Sequence, residues 1–180
     1  MQRPAHAPAA DDAFRPDCAQ CAGLCCMALS FDAGDAFAID KEAGVPCPNL
    51  DIDHRCTIHN TLTKDGFSGC VAFDCLGAGQ RVSRDIFDAK SWQDHPALLR
   101  PMIDALRQMR QVQSMRQLLT SAAALPLSAP QEAMRQNLLF RIAPALTDAA
   151  ALGEIETGPL PAAVGDFLQT LRPAAAGLRK

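Results

Sequence analysis

The segment that decides the fold is residues 18–26, which read CAQCAGLCC. Its cysteines follow the spacing C-x2-C-x3-C-C. A C-x2-C step places two sulfur atoms on one side of a tight turn, within reach of one metal ion. Cys25 and Cys26 are adjacent, and because neighbouring side chains usually diverge, one ion rarely takes both. The spacing therefore predicts either two metal sites or one site with a spare or supporting thiol.

The other cysteines follow closely, so that the whole set lies within residues 18–75. The opening residues contain no apolar stretch of a secretory signal, so we expect the protein to stay in the reducing cytoplasm. Clustered thiols in that compartment indicate metal or redox chemistry rather than structural disulfides or a set of buried thiols. The predicted metal ligands are Cys18, Cys21, Cys25, Cys26, Cys47, Cys56, Cys70 and Cys75.

The spacing leaves the identity of the metal open. Four thiolates suit zinc and an iron–sulfur cluster equally well by count. Eight thiolates suit two zinc sites, two clusters, or one cluster with reactive spares. The chain lacks the C-x2-C-x2-C-x3-C-P run of bacterial ferredoxins and a histidine spaced as in a zinc finger. His54 and His59 flank Cys56 and are candidate accessory ligands, although solvated loop histidines are the simpler interpretation.

Composition and charge exclude some classes of function. Residues 1–80 carry 5 Lys and Arg against 11 Asp and Glu, whereas residues 81–180 carry 12 against 9. The acidic half does not attract nucleic acid, and the excess of base in the other half is weak, so we expect no nucleic-acid partner. No run of 18 apolar residues is present, so we expect no membrane span.

The order of composition along the chain predicts four segments. Residues 1–16 are rich in Pro, Ala and Asp and are expected to be a disordered arm. Residues 17–85 hold the cysteines and many glycines, which predicts an irregular, loop-rich metal-binding domain, with short strands at 37–40 and 69–73. Residues 86–175 are expected to form a helical hairpin or small bundle, and 176–180 a tail. The predicted fold class is therefore mixed.

The helical half shows clear periodicity. Apolar residues recur at steps of three and four from Leu99 to Leu119, the period of an amphipathic helix that Pro101 starts or kinks. A capping-box spacing at 91–94 marks a helix start, and a second helix is expected to begin at 128–131 and to kink or break at Pro144. A last helix is expected from Pro161 to Leu171. We also expect Trp92 to anchor the helices on the cysteine segment.

The cysteine pattern resembles a known family. The order C-x2-C-x3-C-C, CPNL, C-x-I-H and G-C-x4-C is similar to that of the YkgJ-type cysteine-cluster proteins, a zinc- or iron-chelating family. His59 stands where that family usually has Tyr, and no Arg-Pro follows it, which concerns the last two ligands, Cys70 and Cys75. Residues 18–90 are also similar to the cysteine-rich N-terminal segment of some pentapeptide-repeat proteins, although this chain has no such repeat. The resemblance implies metal chelation and no particular reaction.

Three functional hypotheses follow. The first is an iron–sulfur protein, with a 4Fe–4S cluster favoured, that serves electron transfer, redox sensing or a partner. The second is a structural zinc domain that presents a helical surface to a protein partner. The third is a thiol- or metal-dependent enzyme, in which Cys25 or Cys26 is a nucleophile of lowered pKa beside a cationic histidine. No catalytic motif in the sequence names a substrate.

Overall fold

The computed structural model describes residues 12–177. The predicted arm falls mostly outside this range, as do His6 and the last three residues of the predicted tail. Where it is described, the arm is not free: Asp12–Phe14 forms a 3-10 turn, and the Phe14 ring is buried under the Arg116 guanidinium at 5.4 Å. The prediction that disorder extends to residue 16 is therefore wrong for residues 12–14, because they form a turn that packs the Phe14 ring against Arg116.

The structure is helical, and a long hairpin dominates it. Its helices, numbered along the chain, are α1 (Leu24–Ala28), α2 (Ser68–Ala72), α3 (Ala78–Gln80), α4 (Leu99–Ala122), α5 (Ala129–Ile142), α6 (Ala149–Gly153), α7 (Leu160–Thr170) and α8 (Arg172–Gly177). A π-helical turn, Arg81–Ile86, continues α3. Short 3-10 turns lie at Cys18–Gln20, Pro96–Leu98 and Ala143–Leu146. No helix within residues 12–177 is long and apolar enough to cross a membrane.

Helix α4 confirms the periodicity seen in the sequence. Its buried face includes Met102, Leu106, Met109 and Leu119, which recur at helical spacing. Pro101 lies in the first turn, where its missing N–H removes no intrahelical hydrogen bond. This face forms the middle of a core that runs without a break from α1 to α7. The predicted division into domains at residue 85 stays a prediction.

The second arm of the hairpin is also as predicted. Ser128 and Gln131 form a capping box that begins α5, and Pro144 lies in the 3-10 turn that follows the helix. The buried Arg135 guanidinium donates to the carbonyl oxygen of Leu119 at 3.2 Å, so α5 is held against the end of α4. Helix α7 lies within one residue of its predicted bounds at each end.

Three local predictions are wrong. Residues 37–40 form bends, and residues 69–73 mostly belong to α2, so neither is a strand. Val and Phe favour strands, but a strand this short needs a partner edge to hydrogen-bond with. No helix begins at the predicted capping box either, since the Ser91 hydroxyl accepts only from the Gln93 amide. The helical region begins at Pro96, because the residue before a proline is held extended.

The segment between α1 and α2 has little internal structure. From residue 29 to residue 67 the chain forms no helix and makes only the isolated bridges Phe31–Lys41 and Leu50–Cys56. Between residues 29 and 66 only Lys41 and Cys47 are buried. Trp92 anchors the cysteine segment, as predicted: its indole N–H donates at 2.8 Å to the carbonyl of Ala22, which lies just before α1. The irregular segment therefore depends on contacts at its edges.

Candidate metal centre

All the cysteines of the chain face one cleft. Its volume is about 1010 Å³, and the side chains come from α1, from α2 and from the loops around them. None of the thiols is in a disulfide. The thiols that line the cleft are Cys18, Cys21, Cys25, Cys26, Cys47, Cys56, Cys70 and Cys75. Residues up to 57 positions apart in sequence are thus brought to one surface.

Local hydrogen bonds fix the first cysteines. The Asp17 carboxylate accepts from the Ala19 amide at 2.9 Å and caps the turn that carries Cys18. Helix α1 then presents Cys25 and Cys26, whose positions follow from the left-handed Gly23 that caps it. A Cβ atom at Gly23 would lie 2.7 Å from Leu50 Cδ1, so Leu50 would have to shift, and the positive φ of 65° favours glycine in addition.

The loop that carries Cys56 is closed by its own hydrogen bonds. Leu50 bridges to Cys56, and the Asp51 carboxylate accepts from the amides of Asp53 and Arg55 at 2.9 and 2.7 Å. The Asp51 carboxylate is thereby occupied by hydrogen bonds within its own loop. The loop places the Cys56 side chain at the cleft.

Both histidines named as accessory ligands line the cleft. His54 adopts a left-handed conformation with φ of 63° and stacks on Trp92 with ring centroids 6.5 Å apart. Its Nδ1 atom is buried and finds no hydrogen-bond partner among the described residues. His59 is exposed. His54 is therefore the better placed of the two to support a bound group.

Burial and mutual repulsion make most of these thiols poor acids. Burial raises the pKa of Cys21 to about 11, and the charge of Cys25 adds to the effect. The pKa values of Cys18, Cys56 and Cys70 are raised as well, first by burial and then by neighbouring thiolates. Thiolates gathered around one cleft destabilise one another unless a cation lies among them.

Cys25 and Cys26 behave as a pair. A hydrogen bond from Cys26 lowers the pKa of Cys25 to about 7, and the same contact raises the pKa of Cys26. The sequence predicts a lowered pKa in this pair through a cationic histidine. In the structure the neighbouring thiol is the main cause, and the Lys41 charge contributes.

Lys41 is a site residue that the sequence does not indicate. Its side chain is buried, and its ammonium donates to the carbonyl oxygens of Met27 and Glu42 at 3.2 and 3.0 Å and also to that of Leu29. Its charge acts on Cys47, Cys26 and Cys25. A lone lysine in an irregular segment carries no spacing signal, so only the tertiary structure identifies it as a buried cation beside the thiols.

The thiols line one cleft, but their sulfur atoms do not converge on one point. Within residues 12–177, no three His, Cys, Asp or Glu side chains are close enough to one another to hold a metal ion as they stand. Binding of one ion would therefore draw the loops together. Such closure is common, because a metal site rarely exists preformed and its binding free energy contributes to folding.

Comparison with known proteins adds one relative. The uncharacterized protein YybG of Bacillus subtilis (strain 168) is 40% identical to this chain over 114 residues, which is 63% of this chain and 41% of YybG. The chain thus spans less than half the length of that relative. No protein-family profile and no solved structure matches the chain.

The pKa of Cys21 leads to a pH-dependence of stability. The folded, metal-free protein keeps this thiol protonated up to about pH 11, whereas the unfolded chain loses the proton near 9.0. The stabilisation is therefore complete below pH 9.0 and is lost as the pH rises to about 11, by about 2–3 kcal/mol. Urea unfolding of the reduced, metal-free protein across this range measures the loss. Cys21→Ser should show a shallower decline, and an unchanged decline would show that Cys21 does not titrate this way.

Proposed function

We propose that this protein binds a metal centre through the cysteines of the cleft, and that the centre is an iron–sulfur cluster. The observation that carries the proposal is the arrival of every cysteine, as a free thiol, at one cleft. The chemistry of the residues fits a cationic, sulfur-binding group. Thiolates suit zinc and iron–sulfur clusters, and the unpartnered His54 Nδ1 belongs to a residue that lines the same cleft.

The cleft has room for a cluster as well as for a lone ion. Zinc binds sulfur at about 2.3 Å, so its coordination sphere occupies little space. A cleft of about 1010 Å³ has room for a polynuclear group such as a 4Fe–4S cluster. When bound, such a cluster supplies one-electron chemistry, and solvent access and nearby hydrogen bonds set its reduction potential.

The chain's own residues would hold the group and limit its access to water. Phe31 stacks on Phe37 with centroids 4.2 Å apart, and Phe67 meets Phe31 edge to face, so one wall of the cleft is aromatic. The thiols supply the negative charge, and Lys41 offsets part of it. We propose a cytoplasmic protein with a redox role or a role in supporting a partner.

A structural zinc centre is the alternative for the same site. The observation that favours it is the sparse burial of the segment between α1 and α2, which a tightly bound ion would stabilise. In that case the helices would supply the functional surface. On α5, the Phe140 ring is 78% exposed and Met134 is 49% exposed, which are apolar side chains available to a protein partner.

A thiol- or metal-dependent enzyme is the third hypothesis for this site. The lowered pKa of Cys25 gives a thiolate near neutral pH, which is a property of nucleophilic cysteines. No substrate is indicated by the residues around it. Alkylation of one cysteine in the metal-loaded protein would favour this reading, and uniform protection of all the thiols would count against it.

Anaerobic purification tests the proposal directly. We expect a brown protein with broad visible absorption that contains iron and acid-labile sulfide. Cys21→Ser should lose about half or more of the bound metal, because a site lacking one thiolate binds more weakly. Ser121→Ala, an exposed change at the C-terminal end of α4, should retain all of it. A colourless protein with stoichiometric zinc would support the structural alternative, and a protein that takes up neither metal would refute both.

A further inference from the structure

The adjacent thiols of α1 stand between two groups of cysteines. Successive residues on a helix point about 100° apart, so Cys25 and Cys26 face different neighbours although their sulfur atoms touch. The other cysteines lie on either side of this pair. One small cavity and the backbone hydrogen bonds around the cleft separate these cysteines into two groups.

The first group surrounds a small cavity at one end of the cleft. The cavity has a volume of about 30 Å³, enough for one small atom or ion, and is lined by Cys18, Cys21, Cys25 and Cys75. Gly79 approaches Cys21 so closely that a Cβ atom there would lie 2.6 Å from the sulfur. The other four cysteines do not reach this cavity.

The segments carrying the first group are tied to the same part of the fold. The Gln80 side chain accepts from the Asp17 amide at 3.0 Å and donates to the Arg15 carbonyl at 2.9 Å. The Arg110 guanidinium of α4 donates to the carbonyl of Asp74 at 2.6 Å, beside Cys75. Helices α3 and α4 therefore hold both ends of this group.

The second group is linked by a separate set of hydrogen bonds. The Cys47 amide donates to the Cys26 carbonyl at 2.9 Å, the Leu50 amide donates to the Cys47 carbonyl at 3.0 Å, and Leu50 bridges to Cys56. Cys70 lies across the cleft on α2, and its electrostatic neighbours are the shared boundary residue Cys25, then Cys47 and Cys56, with no member of the first group other than Cys25 among them. None of these bonds involves α3 or α4.

Lys41 belongs to the second side. Its charge acts most on Cys47, then on Cys26 and least on Cys25, and on no other cysteine of the first group. It makes no ion pair with a carboxylate among the described residues. A buried cation without a carboxylate partner is costly, and Cys26 and Cys47 would supply the missing negative charge once a metal holds them as thiolates.

We propose that the cysteines form two metal sites of four thiolates each, Cys18, Cys21, Cys25 and Cys75 in the first and Cys26, Cys47, Cys56 and Cys70 in the second, which meet at the adjacent thiols of α1. The inference rests on the proposed metal binding and adds the number of sites and the division of their ligands. Four thiolates complete a tetrahedral zinc site or the protein ligands of one iron–sulfur cluster. The two sites touch through Cys25 and Cys26, so their metals would influence each other.

Two matched double variants test the division. Cys18→Ser/Cys75→Ser removes two ligands of the first site, and Cys70→Ser/Cys75→Ser removes one ligand of each. Metal and sulfide per chain are measured after anaerobic purification of the full-length protein. We expect the within-site variant to keep about half of the wild-type metal, as Cys75→Ser alone does, and the cross-site variant to lose nearly all of it. Both carry the same number of substitutions, so each is the control for the other.

Cobalt titration of the metal-free proteins gives a second readout that does not depend on cluster assembly. Wild type should take up two equivalents of Co²⁺ with thiolate charge-transfer absorption, the within-site variant about one, and the cross-site variant none with the full four-thiolate spectrum. Equal losses in the two double variants, or a wild-type protein that saturates at one equivalent, would overturn the division while leaving metal binding intact. A wild-type protein that binds no metal by either measurement would instead refute the proposed function.

Discussion

Removal of the metal is expected to unfold the segment between α1 and α2 while the hairpin of α4 and α5 stays helical. The segment has no helix, two isolated bridges and, between residues 29 and 66, only two buried residues. It therefore buries little apolar surface to offset the entropy of ordering its backbone. Structural metal binding contributes on the order of 10 kcal/mol or more per site, the largest single contribution available to this half of the chain.

Hydrogen exchange with and without chelator measures this effect. Amides in residues 29–67 should lose their protection when the metal is removed, whereas those of α4 should keep theirs because that helix lies in the continuous core. Ellipticity at the helical minimum should change little. Protection that survives metal removal in residues 29–67 would show that the loops are held by their own contacts, and it would count against a structural role for the metal.

Replacing Lys41 is expected to have the second-largest effect. Lys41→Met removes the buried cation beside the thiolates and leaves the carbonyl acceptors of Met27 and Glu42 without their donor. Loss of one member of a buried charge arrangement costs about 3–5 kcal/mol, so we expect a loss of that size in the metal-loaded protein. In the metal-free protein the segment that carries Lys41 is expected to be unfolded already, so we expect the same change to cost little there.

Denaturant unfolding of both forms separates the two contributions. Lys90→Met is the matched control, because Lys90 is exposed and the same change there should leave both forms within about 0.5 kcal/mol of wild type. Should Lys41→Met destabilise the metal-free and metal-loaded forms equally, Lys41 would act only as a hydrogen-bond donor to backbone carbonyls. The charge it contributes to the second group of cysteines would then have no part in metal binding.

Features that depend on near neighbours in the chain were predictable. The register of α4, the Ser128 cap of α5 and the bounds of α7 follow from periodicity and capping, which act over a few residues. The wrong predictions concern short segments whose own preferences are weak. Residues 69–73 and the turn at Ser91 adopt what their packing and the following proline allow.

The features of the candidate site likewise fall into those that the sequence predicted and those that it did not. Sequence spacing alone named the eight thiols and predicted that one ion would rarely take both Cys25 and Cys26, which stays a prediction. It gave no sign of Lys41, because a single lysine has no periodic or paired partner in the sequence. It also missed the anchoring of Phe14, which lies in a stretch of otherwise disorder-promoting residues and finds its site only on α4.

What the amino-acid sequence determined by itself was the helical hairpin and the candidate metal-binding side chains, since both follow from spacings between nearby residues. Only the tertiary structure decided which cysteines face one another and where the buried cation lies. Those relations join segments up to 57 residues apart, such as Cys18 and Cys75. They depend on how α1, α3 and α4 pack together, which no local spacing encodes.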